Sequence, residues 1–460
     1  MSRRSVRRLV TAFALLALAA APGAPLAAAV RIEGDLPRRA DPGFALRSLD
    51  GALVVRRIVE GSAAALAGLR EGDRLRAIGG RAVLSPPAGA ELVRGLDGGR
   101  PARLTVEREG RTVDLAFTPP PLPMEDLDGL ETVYGVVETP DGARLRAVVT
   151  RPAGASGPLP AIFFTQWVSC DGIEPIGNGN HLQLLRALAQ RSGAVLLRVD
   201  RSAGGDSEGP GCHELDYETE LAHYRHAFDV LTARPEVDRR RVVIFGNSLG
   251  STTAPLLAAT REVAGVAVSG GGALTYFERL LAFDRLGFEL GGTPPAEIDA
   301  RMRLHAEFLE RYLHQDEDPA AIARQRPELA GVWNAMRGTG DGTHYGRPFA
   351  WHRQLARRDL LGAWSQITAP VIAVYGAFDQ FEPPHAHRAA VAMLERLRPG
   401  QAQAIEIAQM NHFYDVHPTA VDAARGRHGQ PAWELAAGAL LGWLRDRLDI
   451  SPVGGGEQQG

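Results

Sequence analysis

Val242-Val243-Ile244-Phe245-Gly246-Asn247-Ser248-Leu249-Gly250 runs from four apolar residues into a Gly-x-Ser-x-Gly turn, and a small-residue stretch through Ala254, Leu256 and Ala259 follows. A short apolar run closed by glycine reads as a strand, and the segment after it as a helix. Glycine on either side of Ser248 lets the chain turn sharply between the two. That turn exposes Oγ above the sheet, where the helix N-terminus favours negative charge. Similar apolar runs stand at 161–164, 194–199, 263–268, 371–375 and 404–407, and 217–233 carries Leu221, Tyr224, Phe228 and Leu231 at helical spacing. Runs that are apolar throughout and alternate with helices argue a parallel sheet covered on both faces, an α/β domain. Upstream, 136–138 and 144–149 flank Pro140-Asp141-Gly142, a hairpin signal.

A serine hydroxyl needs a base to act as a nucleophile near neutral pH, and the base needs an acid to orient it. In a sheet of this kind the chain order is serine, acid, histidine. Asp379 follows the run 371–375 and His412 follows 404–407, so each sits in a loop at the edge where Ser248 emerges. Glu382 is the rival acid, and His385 and His417 are rival bases that lie further from a strand end. Acyl transfer also needs donors for the oxyanion. The Leu249 N–H, directly after the nucleophile, is one; Trp167 or Val168, in the loop after 161–164, supplies the other. Gln166 is an alternative part of that loop, orienting rather than donating. The glycine-rich loop 200–209 lacks the Gly-Lys-Ser/Thr ending of a phosphate cradle, and we read it as a tight turn buttressing the site.

The two cysteines, Cys170 and Cys212, lie in the loops after successive strands. In an oxidising compartment a lone pair reads first as a disulfide, which here would pin the 165–170 loop; two buried free thiols are the alternative. The compartment is suggested by residues 1–29, with a basic start at Arg3, Arg4, Arg7 and Arg8, an apolar stretch, and Ala27-Ala28-Ala29. That is the grammar of a cleaved secretory signal, with a retained membrane anchor as the alternative. A periplasmic or secreted location follows. No stable membrane insertion is expected after cleavage.

Ahead of the α/β domain, 43–118 forms a separate β-rich unit. A strand at 53–59 leads into Gly61-Ser62-Ala63-Ala64-Ala65-Leu66-Ala67-Gly68-Leu69-Arg70-Glu71-Gly72-Asp73. A strand at 74–78, a short helix near 88–96 and a hairpin of 102–106 with 112–117 complete it. The order and spacing resemble a bacterial PDZ domain, which captures a peptide C-terminus by strand addition. The segment 47–52 departs from the usual carboxylate-binding loop, so a docking role is equally open. Pro119-Pro120-Pro121-Leu122-Pro123 opens a linker at 119–129, read as a stiff spacer poor in hydrogen bonds.

The remainder, 130–449, resembles an α/β-hydrolase in Gly246-Asn247-Ser248-Leu249-Gly250, the 200–209 loop, Tyr375–Asp379 and Asn411-His412. Together these motifs resemble the EstD-type carboxylesterases and their neighbours among serine peptidases. The segment 274–362 is read as a helical cap and 450–460 as a disordered tail. The resemblance implies ester hydrolysis through an acyl-serine, with a small-molecule ester as substrate and no cofactor or metal. A serine peptidase and a non-catalytic scaffold are the competing functions.

Composition sets the outer bounds. The 460 residues are 45% hydrophobic and 23% charged, with 52 Gly and 31 Pro, as in folded proteins and unlike collagen or disordered chains. A net charge of −3, with all 51 basic residues arginine, offers no bulk attraction to nucleic acid or to an anionic membrane.

Overall fold

The computed structural model describes residues 35–174, 177–335 and 343–450. The signal sequence expected at 1–29 and the tail beyond 450 lie outside the described residues. Among those described, no helix is long and apolar enough to cross a membrane.

The N-terminal unit is a twisted sheet of β1 (Phe44–Leu49), β2 (Ala52–Ile58), β3 (Arg74–Ile78), β4 (Arg81–Ala82), β5 (Ala102–Arg108) and β6 (Arg111–Phe117). Its strand order is β1-β2-β3-β5-β6, with β4 against β3, so β1 is an edge. The helices are α1 (Ala63–Leu66), capped by Ser62, and α2 (Pro86–Arg94), capped by Ser85. Leu104, Val106, Val55 and Ile78 fill a core of its own. Residues 47–52 form the end of β1, the Asp50-Gly51 turn and the start of β2; both turn residues adopt the positive φ a tight hairpin needs.

The expected spacer at 119–123 is corrected. Its prolines cannot donate, yet their carbonyls accept: Asp41 N–H donates to Pro120 O at 2.8 Å, and Leu122 N–H returns to Arg39 O at 2.8 Å. The segment this strap binds, 38–41, reaches the larger domain. Arg38 Nη1 donates to Glu174 Oε2 at 2.7 Å and to Asp206 Oδ2 at 2.8 Å, and Arg39 N–H donates to Asp206 Oδ1 at 2.8 Å. The glycine-rich loop 200–209 therefore carries the docking contacts of the N-terminal segment.

The larger domain begins with the hairpin of β7 (Leu130–Glu138) and β8 (Arg144–Pro152). It continues through β9 (Leu159–Thr165), α3 (Asn180–Arg191), β10 (Val195–Val199), α4 (Tyr217–Thr232), β11 (Val237–Asn247), α5 (Gly250–Ala258) and β12 (Gly265–Ser269). After an insertion come β15 (Val371–Gly376), α12 (Pro384–Leu397) and β16 (Ala402–Ile407). The chain closes through a two-stranded ribbon of β17 (Asp415–Val416) and β18 (Gln430–Pro431), the short α13 (Ala420–Ala424), and α14 (Trp433–Leu448). The sheet order is β16-β15-β12-β11-β9-β10-β8-β7, parallel from β16 to β10 and antiparallel across β10/β8 and β8/β7. Strands β10, β12 and β15 are buried along their whole length, since helices cover both faces. At the sheet edge, β16 is buried only at Ile407, with Gln403, Ala404 and Glu406 exposed.

The insertion between β12 and β15 is helical but not purely so. It holds α6 (Tyr276–Leu290), α7 (Pro295–Leu309), a π-helical turn (Glu310–His314), α8 (Pro319–Gln325) and α9 (Pro327–Ala335). A ribbon of β13 (Thr343–His344) and β14 (Arg347–Pro348) follows, then α10 (Phe349–Ala356) and α11 (Leu360–Gln366). Thr275 and Glu278 form a capping box that fixes the start of α6 directly above the strand ends.

Candidate active site

Chain order reverses at β9, which has β10 on one side and β11 on the other. Crevices at such a switch point open at the carboxyl ends of the strands, and the expected site residues converge there. Gly246 pairs with Thr165 of β9 and Asn247 with Ser269 of β12, so Ser248 leaves the sheet between two neighbours. Its φ is +53°, a strained value for serine, and its N–H is held by Ser269 O at 2.7 Å.

Two loops meet over it. Phe378 N–H donates to Met410 O at 2.9 Å, tying the loop after β15 to the loop after β16. The side chain of Asn411 accepts from the N–H groups of Phe413 and Asp415, folding the tight turn that presents His412. Tyr414 anchors that turn to the sheet: its hydroxyl accepts from Asn247 Nδ2 at 2.6 Å and donates to Ser269 Oγ at 2.8 Å.

The result is one continuous series. His412 Nε2 lies 2.8 Å from Ser248 Oγ, and His412 Nδ1 lies 2.8 Å from Asp379 Oδ2. Asp379 Oδ1 accepts from the N–H groups of Phe381 and Glu382, both at 2.9 Å. Burial pushes the Asp379 carboxyl up, but the neighbouring imidazoles of His412 and His387 and these backbone donors outweigh it and hold the group below the usual aspartate value.

The rivals go elsewhere. Glu382 accepts from Gly272 N–H and pairs with Arg279 of α6 at 2.5 Å; burial pushes its carboxyl up to about 7 against the pull of that arginine. His417 is engaged by Asn411 Nδ2 and Arg427 O, and His385 is exposed on α12.

Around the oxyanion position, Leu249 caps α5, and Trp167 and Val168 face the serine from the loop after β9. Among the described residues, the backbone N–H groups of Leu249, Trp167 and Val168 have no acceptor, whereas that of Gln166 meets Tyr224 Oη at 3.3 Å. Gln166 Nε2 donates to Ser169 O and Asp171 O, so this side chain braces the loop. Cys170 and Cys212 are joined in a disulfide with a Cα–Cα distance of 6.1 Å.

Two cavities share Ser248, His412, Val168 and Phe381. One, of about 200 Å³, lies beneath the cap among Tyr276, Leu280, Phe283 and Trp351, with the Arg279–Glu382 pair in its wall. The other, of about 290 Å³, opens on the opposite side beside Trp167, His181 and Phe413. Among the described residues no cluster of His, Cys, Asp or Glu has the arrangement to hold a metal ion.

Arg279, Arg201, Arg347 and Glu220 escaped sequence reading. Each is a charged residue in a helix, a loop or a two-residue ribbon strand, and nothing local distinguishes it from a solvated one.

Residues 54–108 match the family model of the PDZ domain. No curated protein matches the chain. Among solved structures, the chain is similar to an esterase of Butyrivibrio proteoclasticus with ferulic acid bound, at 15% identity and a TM-score of 0.45, over 69% of this chain and 100% of that one. It is also similar to an esterase of Pyrococcus furiosus, at 11% identity and a TM-score of 0.43, over 72% and 97% of the two chains. A thermostable esterase of Pseudomonas putida gives 18% and 0.40, over 71% and 86%. At these scores the fold rests on the strand order and the serine turn described above. The chain thus carries a PDZ domain followed by a domain of α/β-hydrolase fold.

Proposed function

We propose that this chain is an exported serine hydrolase that cleaves carboxylic esters through an acyl-serine intermediate. One observation carries the proposal: an unbroken hydrogen-bonded series from Ser248 Oγ through His412 to a buried Asp379, at the junction of two cavities. Ser248 Oγ attacks the ester carbon as its proton passes to His412 Nε2, and the carbonyl π pair moves onto oxygen. The N–H of Leu249 and a donor from 167–168 receive that oxyanion. Collapse expels the alcohol oxygen, which takes the proton from His412 Nε2 and leaves the acyl-serine. Water then attacks, with His412 again accepting the proton, and the free acid departs. Asp379 holds the imidazole in the tautomer that accepts from serine and stabilises the imidazolium.

An ester rather than a peptide fits the apolar, aromatic walls of the cavity under the cap, whose volume suits a small or medium acyl group. A peptidase would use the same series, and the PDZ domain is the feature that favours it. We assign a peptide C-terminus as the partner class of that domain, because β1 is an edge strand able to accept another strand. Export is supported by the leader at 1–29 and the cysteine pair; an N-terminus beginning at residue 30 in the mature protein tests it.

The function is tested by labelling with a serine-directed fluorophosphonate and by rates on p-nitrophenyl esters against peptide anilides. Wild type should label and turn over esters faster, and Ser248→Ala should do neither. A labelled Ser248→Ala would give the nucleophile to another residue. Folded wild type that does not label would make the protein a scaffold.

A further inference from the structure

The loop carrying Trp167 and Val168 is held from behind by buried cations. Arg201, just after β10, donates through Nη1 to Ser169 O at 2.7 Å and through Nη2 to Gln166 O at 3.0 Å. Arg347, in β14 of the cap and 179 residues further along the chain than Val168, donates to Val168 O through Nε at 3.3 Å and Nη2 at 3.1 Å. Both guanidinium groups meet on one carboxylate. Glu220 of α4 lies 2.7 Å from Arg201 Nε and 2.9 Å from Arg347 Nη1, and it accepts from Trp351 Nε1 at 3.0 Å. The side chains of Arg201, Arg347 and Glu220 are 1%, 0% and 2% exposed, so solvent screens none of these contacts. Such a buried triad is poor evidence for stability, since apolar residues of similar volume usually do as well or better. Its contacts go instead to three carbonyls of one short loop.

A peptide unit is planar and trans, so the C=O of one residue and the N–H of the next point in opposite directions. With the Gln166 carbonyl drawn toward Arg201, the Trp167 N–H is turned to the other side, and Trp167 shares a cavity with Ser248. The loop also lies tight against the start of α5. A side chain at Gly250 would bring its Cβ within 2.0 Å of Thr165 O, which keeps the loop beside the Leu249 N–H.

We propose that Arg201 and Arg347, joined through Glu220, are positioning residues for ester hydrolysis: they fix the carbonyls of Gln166, Val168 and Ser169 so that the Trp167 N–H serves as the second oxyanion donor. This rests on the serine-hydrolase function proposed above. It also makes the cap part of the catalytic apparatus, since Arg347 belongs to the cap and holds the loop only while the cap is seated.

Two measurements test it. The first compares Arg347→Met and Arg347→Lys with wild type on a p-nitrophenyl ester and with a trifluoromethyl ketone, whose hydrated or serine-bound form carries the tetrahedral oxygen. Arg347→Met should lower kcat by 10²-fold or more with KM within threefold, and weaken the ketone in proportion to kcat/KM. Arg347→Lys, which keeps the charge, should recover part of the loss. Unchanged kcat in a folded Arg347→Met, or equal losses in ground-state and ketone binding, overturns the proposal. The second uses wild type and so does not depend on a variant folding. With backbone ¹⁵N-tryptophan labelling, the Trp167 amide, assigned by Trp167→Phe, should move strongly downfield when the ketone binds. An unmoved Trp167 resonance in the bound enzyme overturns it. A wild type that neither labels with fluorophosphonate nor binds the ketone counts instead against the hydrolase function.

Discussion

Asp379→Asn separates orientation from folding. Asp379 Oδ1 accepts from two backbone donors, the N–H groups of Phe381 and Glu382, both at 2.9 Å, while Oδ2 faces His412 Nδ1 at 2.8 Å. In the asparagine variant the two N–H groups can be satisfied only by the amide oxygen, which forces the NH₂ toward His412. Nδ1 must then accept, so the ring proton moves to Nε2. Nε2 would donate to Ser248 Oγ instead of accepting its proton, and the base would be lost with every heavy atom in place. Inverting the tautomer in this way lowers kcat by about 10⁴-fold, or about 5.5 kcal/mol of transition-state stabilisation. KM should change little, because Asp379 is 1% exposed and lines neither cavity. The assay is stopped-flow hydrolysis of a p-nitrophenyl ester, with near-UV circular dichroism confirming the fold. A folded Asp379→Asn whose kcat stays within tenfold of wild type would refute the assigned role of this carboxylate.

Other expectations follow from single contacts. Gly270 has φ +73° and its Cβ would lie 2.8 Å from His412 Cε1, so Gly270→Ala should displace the imidazole and lower kcat by about 10²-fold, read on the same ester. Asp200 is fully buried, and burial together with Glu174 and Asp206 pushes its carboxyl up to about 8. The folded chain therefore binds this proton more tightly than the unfolded one. The associated stability is complete below about pH 3.8 and is lost as pH rises to about 8, with a slope of up to about 1.4 kcal/mol per pH unit. Asp200→Asn should flatten that part of the urea-stability profile relative to wild type, and an equal slope in both would be contrary. Replacing Cys170 and Cys212 by serine reopens a loop of 42 residues and should remove about 4 kcal/mol of stability on the chain-entropy model, measured by denaturant unfolding.

Continuous apolar runs disclosed β9, β10, β12 and β15, because strands buried on both faces can hold little else. The edge strand β16 was visible only in part, since half of it faces water. The hairpin at Asp50-Gly51 escaped notice because its first strand, Phe44–Leu49, lies at an edge, is buried only at Phe44 and shows no apolar alternation. The strap along 119–123 was hidden for another reason: its hydrogen bonds go to 38–41, and no local pattern records a partner so far away. Within the site, residue type and position after a strand were enough to single out Ser248, Asp379 and His412 as candidates, and the fold brings the three within hydrogen-bond reach. Glu382, three residues after Asp379, was set apart only by contacts of the folded chain: it pairs with Arg279 and accepts from Gly272 N–H, while Asp379 faces His412.

Local sequence determined the strands buried on both faces, where the sharp serine turn falls, and which residue types stand ready at strand ends, because each of these depends on neighbours within a few positions. Tertiary structure alone decided which carbonyls Arg201 and Arg347 hold, which carboxylate joins them, how the N-terminal strap docks, and how two cavities divide the space around Ser248. These are contacts between residues tens to hundreds of positions apart. Their partners are chosen by the geometry of the closed sheet and its cap, so the same arginines in another fold would be ordinary surface charges.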